Sequence, residues 1–126
     1  MALMEFLSEN IINTTTMMTV TSGTATLQYL FDRNIELGYS TLGYASTTSA
    51  VLSIHFNETT SVSHILLQNH NLKQFRIFYN SSTSNSLYTT TNNSSTSTYI
   101  SFNTVSVNTI QIQMDDTIKG SEEKSI

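Results

Sequence analysis

The sequence predicts an all-β domain built as an antiparallel β-sandwich, and three observations carry that prediction. Thr (21), Ser (19) and Asn (12) together supply 52 of the 126 residues, so the polar surface consists mainly of neutral hydroxyls and amides that favour strands and hydrogen-bonded turns. Good helix formers are sparse beyond the first dozen residues, and Pro is absent. Apolar residues recur with period two in short segments separated by turn formers, as in Leu52, Ile54 and Phe56 or Ile110, Ile112 and Met114.

A chain of this length has room for one core, which argues against a two-domain enzyme. Charged residues make up 11% and the formal net charge is −4. The basic residues Arg33, Lys73, Arg76, Lys119 and Lys124 are scattered, leaving no basic stripe to neutralise phosphates and no electrostatic case for a nucleic-acid partner. No apolar run approaches the roughly 20 residues that span a bilayer, so membrane insertion by a helix is not expected. The absence of Cys removes thiol catalysis, thiolate metal sites and disulfides together, and leaves the redox compartment open. The opening Met1-Ala2-Leu3-Met4-Glu5-Phe6-Leu7 lacks a basic region and is followed by Glu9, which argues against a signal peptide.

Residues 1–11 are assigned to an N-terminal docking or flexible segment and 12–126 to the sandwich. Within the first, Leu3, Phe6 and Leu7 share a face at helical spacing and are candidate assembly contacts. Met17, Met18 and Val20 read as a strand that turns at Gly23, and Leu27 to Asn34 as a helical turn opening a loop through Gly38 and Gly43. Val51 to Phe56 is a half-buried strand, Asn57-Glu58-Thr59-Thr60 a turn, and Val62 to Gln68 a second strand. Its run Ile65-Leu66-Leu67 suits a strand covered on both faces.

Asn69-His70-Asn71 turns the chain into a strand from Lys73 to Tyr79, with Phe75, Ile77 and Tyr79 on one side. The polar stretch from Asn80 to Ser97 resembles low-complexity sequence, but Tyr88 to Thr91 is β-prone and reads as an edge strand. Tyr99 to Phe102, Val105 to Val107 and Thr109 to Met114 follow as short strands. Leu52, Ile54, Phe56, Ile65, Leu67, Phe75, Ile77, Phe102, Ile110 and Ile112 are the expected core. The end from Asp115 onward shows no core pattern apart from Ile118 and Ile126.

The order of these segments resembles a known family. Leu30-Phe31-Asp32-Arg33-Asn34, then Tyr39-Ser40, the strand Val51 to Phe56, Val62-Ser63-His64-Ile65-Leu66-Leu67-Gln68-Asn69-His70-Asn71-Leu72 and Phe75-Arg76-Ile77-Phe78-Tyr79 resemble the discoidin-like, or galactose-binding-like, jelly-roll domains. The resemblance runs roughly from Ile12 to Met114. Asn69-His70-Asn71-Leu72 after the central strand is similar to domains of bacteriophage tail and virion structural proteins. The resemblance implies a jelly-roll β-sandwich, a ligand site at the loop end using Tyr39, Tyr44 and Arg76, and a structural calcium held by Asp32 and Glu36. Capping of the loop by Asp32 without an ion is the alternative reading of that residue. Two departures stand out: Tyr39 replaces the Trp that often follows the aspartate loop, and Glu122-Glu123-Lys124-Ser125-Ile126 stops where a last strand would begin, so the domain is expected to lack that strand or to borrow one.

No constellation argues for an enzyme. His55, His64 and His70 lack the helical spacing of a zinc motif, and reading His55 and His64 on strands separated by a turn leaves cross-strand pairing as their only route together. His70 with its flanking asparagines reads as a turn stabiliser. Asp115 and Asp116 are neighbours on a strand and point oppositely, so they cannot act as paired acid and base. No Gly-x-Ser-x-Gly elbow occurs. Asn13, Asn57, Asn80, Asn92 and Asn93 match the glycosylation acceptor pattern at a rate such a composition produces by chance.

The leading expectation is a non-enzymatic structural module of a virion, a tail, fibre or capsid-surface component that contacts other virion chains or its own copies as a homo-oligomer and is assembled in the host cytoplasm. The alternative is an extracellular carbohydrate-binding module that recognises a glycan through Tyr39, Tyr44, Arg76 and Asn or Asp side chains. A calcium-dependent adhesion domain stands third.

Overall fold

The computed structural model describes residues 18–20, 49–120 and 124–126. These residues form β1 (Met18–Val20), β2 (Ala50–Leu67), β3 (Leu72–Tyr79), β4 (Ser82–Thr90) and β5 (Thr98–Thr117), with no helix among them. Every pairing is antiparallel, and the hydrogen-bonded order is β1-β2-β5-β3-β4.

The long strands fold this one sheet into two layers. A straight strand the length of β5, 20 residues, would span about 65 Å. Instead both of its ends meet the turn between β2 and β3. Thr98 Oγ1 lies 2.8 Å from His70 Nε2, while Leu72 pairs with Thr117 and the Ile118 N–H donates to the Asn71 carbonyl at 2.8 Å. β5 therefore doubles back, and β2 goes with it.

Two register shifts supply the slack. Between the pairs His55↔Thr109 and Thr60↔Val107, four β2 residues oppose only Asn108; between Val62↔Val105 and His64↔Ser101, three β5 residues oppose only Ser63. Bulges of this kind bend a strand from one layer into the next. The near layer comprises β1, β3, β4 and the ends of β2 and β5 that pair with them; the far layer is the remaining β2–β5 ribbon. Leu52, Phe75, Ile77, Ile110, Ile112 and Met114 from the near layer form one cluster with Val62, Leu67, Ile100 and Val107 from the far one. Seven of the ten expected core residues are buried, and Phe56, Ile65 and Phe102 pack against them partly buried.

Three local expectations are corrected. Asn57-Glu58-Thr59-Thr60 does not reverse the chain; β2 runs on through it, because these turn formers have too few β5 residues opposite them and bulge out. Leu66 is 40% exposed, so Ile65-Leu66-Leu67 is covered on one face only. The three short strands expected after Ser97 are one strand, β5, whose core-facing residues change parity from Thr98 and Ile100, to Val107, to Ile110 and Ile112 as it bends. The breaks in periodicity mark bends in one strand, and no loops separate its parts.

The polar stretch is ordered by its own side chains. Asn80 and Ser81 form the two-residue β3–β4 turn with φ of 53° and 57°, the positive values that a type I′ hairpin turn requires. β4, an edge strand as expected, begins at Ser82, earlier than the Tyr88 that the sequence suggested. In the following loop Asn93 donates through Nδ2 to the carbonyls of Leu72 and Ser95, each at 2.7 Å. The tail also has more core role than its sequence suggests: Lys124 is buried, Ile126 packs on the core, and the Ser125 N–H donates to Asn71 Oδ1 at 2.9 Å. The expected N-terminal docking segment, the helical turn from Leu27 and the domain boundary at residue 12 lie outside the described residues.

Candidate functional site

The outer face of the near layer carries a polar ladder fixed by strand register. Arg76 on β3 pairs with Gln113 on β5 and with Thr89 on β4, while Phe78 pairs with Gln111 and Ser86. Period two places Arg76 and Phe78 on the side away from Phe75 and Ile77, which fill the core. The Arg76 guanidinium carbon sits 5.6 Å from the centroid of the Phe78 ring, a cation–π contact that holds the side chain down along the sheet.

From Arg76 a chain of hydrogen bonds crosses to Ser49, the residue before β2. Nε and Nη2 donate to Gln113 Oε1 at 3.0 and 2.8 Å; Gln113 Nε2 donates to Asp115 Oδ1 at 3.0 Å; Ser49 Oγ donates to the same oxygen at 2.6 Å. Because a guanidinium can only donate and a carboxylate accepts, the orientation of the Gln113 amide is determined by its neighbours. Beside this chain lies an open groove of about 300 Å³, lined by Gln74, Arg76, Thr89, Thr90, Thr91, Gln113 and Asp115 together with Phe75.

Its lining combines hydrogen-bond donors and acceptors. The Arg76 N–H groups not engaged by Gln113 offer donors, the second oxygen of Asp115 an acceptor, and the hydroxyl of Thr89, opposite Arg76 in register, either function. Among the described residues Asp115 is the one carboxylate lining the groove, since Asp116 Oδ1 instead accepts the Thr117 N–H at 2.8 Å. No group of three or more His, Asp or Glu side chains is placed to hold a metal among the described residues.

Of the candidate ligand, calcium and assembly residues, Arg76 is the one that the described structure places, and it stands mid-strand on the outer face of β3, not at a loop end, because strand pairing to Gln113 and Thr89 holds it there. Tyr39, Tyr44, Asp32, Glu36, Leu3, Phe6 and Leu7 lie outside the described residues. His55 and His64 stand on the same strand, β2, so they are not cross-strand neighbours. His70 is the buried turn residue. That Gln113, Asp115 and Thr89 gather beside Arg76 is set by strand register, which joins residues far apart in the chain and is not legible from the sequence of any one strand.

The sequence matches no family model and no curated protein. The fold does match solved structures. A variant of chitosan-binding module 1 of a Paenibacillus sp. IK-5 chitosanase/glucanase superposes with a TM-score of 0.70 at 13% identity, covering 86% of this chain and 87% of the module. The chain has the galactose-binding-like jelly-roll fold. Chitosan-binding module 2 of the same Paenibacillus enzyme, solved with chitotriose, matches this jelly roll with a TM-score of 0.69 at 17% identity over 86% and 89% of the two chains. The family 32 carbohydrate-binding module of Clostridium perfringens NanJ, solved with galactose, matches at 0.67 and 17% over 87% and 90%. These neighbours are carbohydrate-binding modules, and each is spanned by the jelly roll nearly end to end.

Proposed function

We propose that the chain is a non-catalytic carbohydrate-binding module that receives sugar hydroxyls in the groove beside Arg76. The reciprocal coverage carries this reading: the jelly roll corresponds over 86% and 87% of its length to nearly complete modules solved with chitotriose and with galactose. The groove supports it independently, with donors and acceptors combined and a single carboxylate among its described lining. It favours the glycan alternative over the virion role, which draws no support from these neighbours, and it goes with the extracellular location.

The test is a glycan microarray carrying β-galactosides, N-acetylgalactosamine-terminated disaccharides and chito-oligosaccharides, probed with wild type and Arg76→Ala. Selective binding that weakens in the variant is expected. A folded wild-type protein that binds no glycan across the array overturns the proposal.

A further inference from the structure

On the other side of the sandwich, the outer face of the far layer, Leu66 and Tyr99 are the large hydrophobic side chains left exposed among the described residues, at 40% and 47%. They are direct cross-strand partners on β2 and β5. His64, diagonal to Tyr99, stacks on its ring with centroids 5.9 Å apart and 29° between the planes. Its Nδ1 is 2.7 Å from Ser63 Oγ, a contact that positions the imidazole beside the phenol ring. Exposed Ser101, the register partner of His64, stands at the margin, and exposed Gln68 follows directly on the end of β2.

We propose that Leu66 and Tyr99 form a stacking platform for the apolar face of a pyranose ring, a second sugar contact on the face opposite Arg76. This rests on the carbohydrate-binding function proposed for the chain. The size of the patch selects the occupant. Two partly exposed side chains present on the order of 150 Å², against the roughly 800 Å² per partner that a stable protein interface buries. One sugar ring matches that area. The electronics agree, since the C–H groups of a pyranose face are positively polarised and an aromatic face is negative. The hydroxyl and amide of Ser101 and Gln68 offer neutral partners for the ring's equatorial hydroxyls. A module with sugar contacts on opposite faces can engage two glycan strands at once and gain avidity without a tighter single site.

The experiment is an NMR titration of the uniformly ¹⁵N-labelled full chain with galactose, N-acetylgalactosamine and chitotriose in turn, repeated on Tyr99→Ala and Tyr99→Phe. With at least one sugar the amides of Leu66, Tyr99 and Ser101 should shift, with affinity at that face about ten-fold weaker in Tyr99→Ala and retained in Tyr99→Phe. The melting temperature of Tyr99→Ala should match wild type, which separates lost stacking from lost folding. Sugar-dependent shifts confined to other parts of the protein overturn the platform and leave the carbohydrate-binding function standing. If the folded protein responds to no sugar, that function fails first and takes the platform with it. Shifts at Leu66 and Tyr99 that follow protein concentration without sugar would make the face a self-association patch and also overturn the platform.

Discussion

His70 Nε2 and Thr98 Oγ1 lie 2.8 Å apart in the buried turn between β2 and β3, and a second bond fixes the direction of the first. The Leu72 N–H donates to His70 Nδ1 at 3.1 Å, so Nδ1 carries a lone pair and the ring proton sits on Nε2, which donates to the Thr98 hydroxyl. The ring is 1% exposed and meets Phe75 edge-on at 5.5 Å between centroids. Only the neutral imidazole fits, and this single side chain ties the start of β5 to the start of β3.

Acid should therefore loosen the fold through His70. Burial lowers its pKa below the ordinary 6.5. Between the folded value and 6.5 the unfolded chain binds more protons, so stability rises with pH across that window and levels off above it. Melting temperature should be flat above about pH 7 and fall as pH drops through the window. His70→Asn should be less stable at neutral pH by about 2–4 kcal/mol and should lose this component of the acid response. Parallel thermal melts at pH 5 to 8 decide; identical pH profiles for variant and wild type would show that His70 is not the group responsible.

The β3–β4 turn should be improvable. Ser81 adopts φ of 57°, where a side chain is strained and glycine is not. Its backbone N–H donates to Gln111 Oε1 at 3.1 Å, a bond that glycine keeps, while glycine loses the longer 3.4 Å bond that Ser81 Oγ accepts from Gln111 Nε2. Ser81→Gly should raise stability by up to about 1 kcal/mol. Asn80→Ala should lower it by about 1–2 kcal/mol, because Asn80 Oδ1 accepts from the Asn108 N–H at 2.8 Å and tethers the turn to the bend of β5. Urea denaturation of the two variants checks both signs.

The way this turn and the core arise shows where sequence reading succeeds. Alternation in Leu52–Ile54 and Ile110–Ile112 identifies core faces because burial on a pleated strand has period two. The same logic failed at Asn57 to Thr60, where turn-forming residues report only that regular pairing stops. Whether the chain reverses or bulges depends on how many residues stand opposite, and those lie some 50 positions away on β5. Arg76 was legible as a cation on the side of an alternating strand opposite Phe75 and Ile77. Its partners Gln113 and Asp115 were not, since the β3–β5 register joins residues 37 positions apart and is interrupted between Leu72 and Phe75.

Ile112 should tolerate no charge. Its register partners are Leu52 and Ile77, and all three are buried in the cluster where the two layers meet. Ile112→Asp would bury a carboxylate with no donor at a cost of several kcal/mol and should leave the domain unfolded by circular dichroism and NMR. Ile112→Val, which removes one methylene, should remain folded and lose about 0.5–1.5 kcal/mol. A soluble Asp variant melting at the wild-type temperature would place this residue at the surface.

Finally, Arg76 and Gln113 should act on glycan binding as one unit. Gln113 Oε1 takes both the Nε and Nη2 donors of Arg76, and its amide nitrogen is committed to Asp115, so loss of Gln113 releases the guanidinium from a fixed pose while leaving its charge. Arg76→Lys should be nearly as damaging as Arg76→Ala, since an ammonium cannot reproduce the forked contact or lie flat over Phe78. Each single alanine variant should weaken glycan affinity by about five- to thirty-fold, equivalent to about 1–2 kcal/mol, with little change in melting temperature because the groove lies outside the core. The double variant Arg76→Ala/Gln113→Ala should be no worse than the weaker single one. That non-additivity, measured as a coupling energy of about 1 kcal/mol in a double-mutant cycle, is the signature of a positioned donor. Strictly additive losses would mean that the two side chains contact the sugar independently and that the hydrogen-bond chain to Asp115 does not position Arg76.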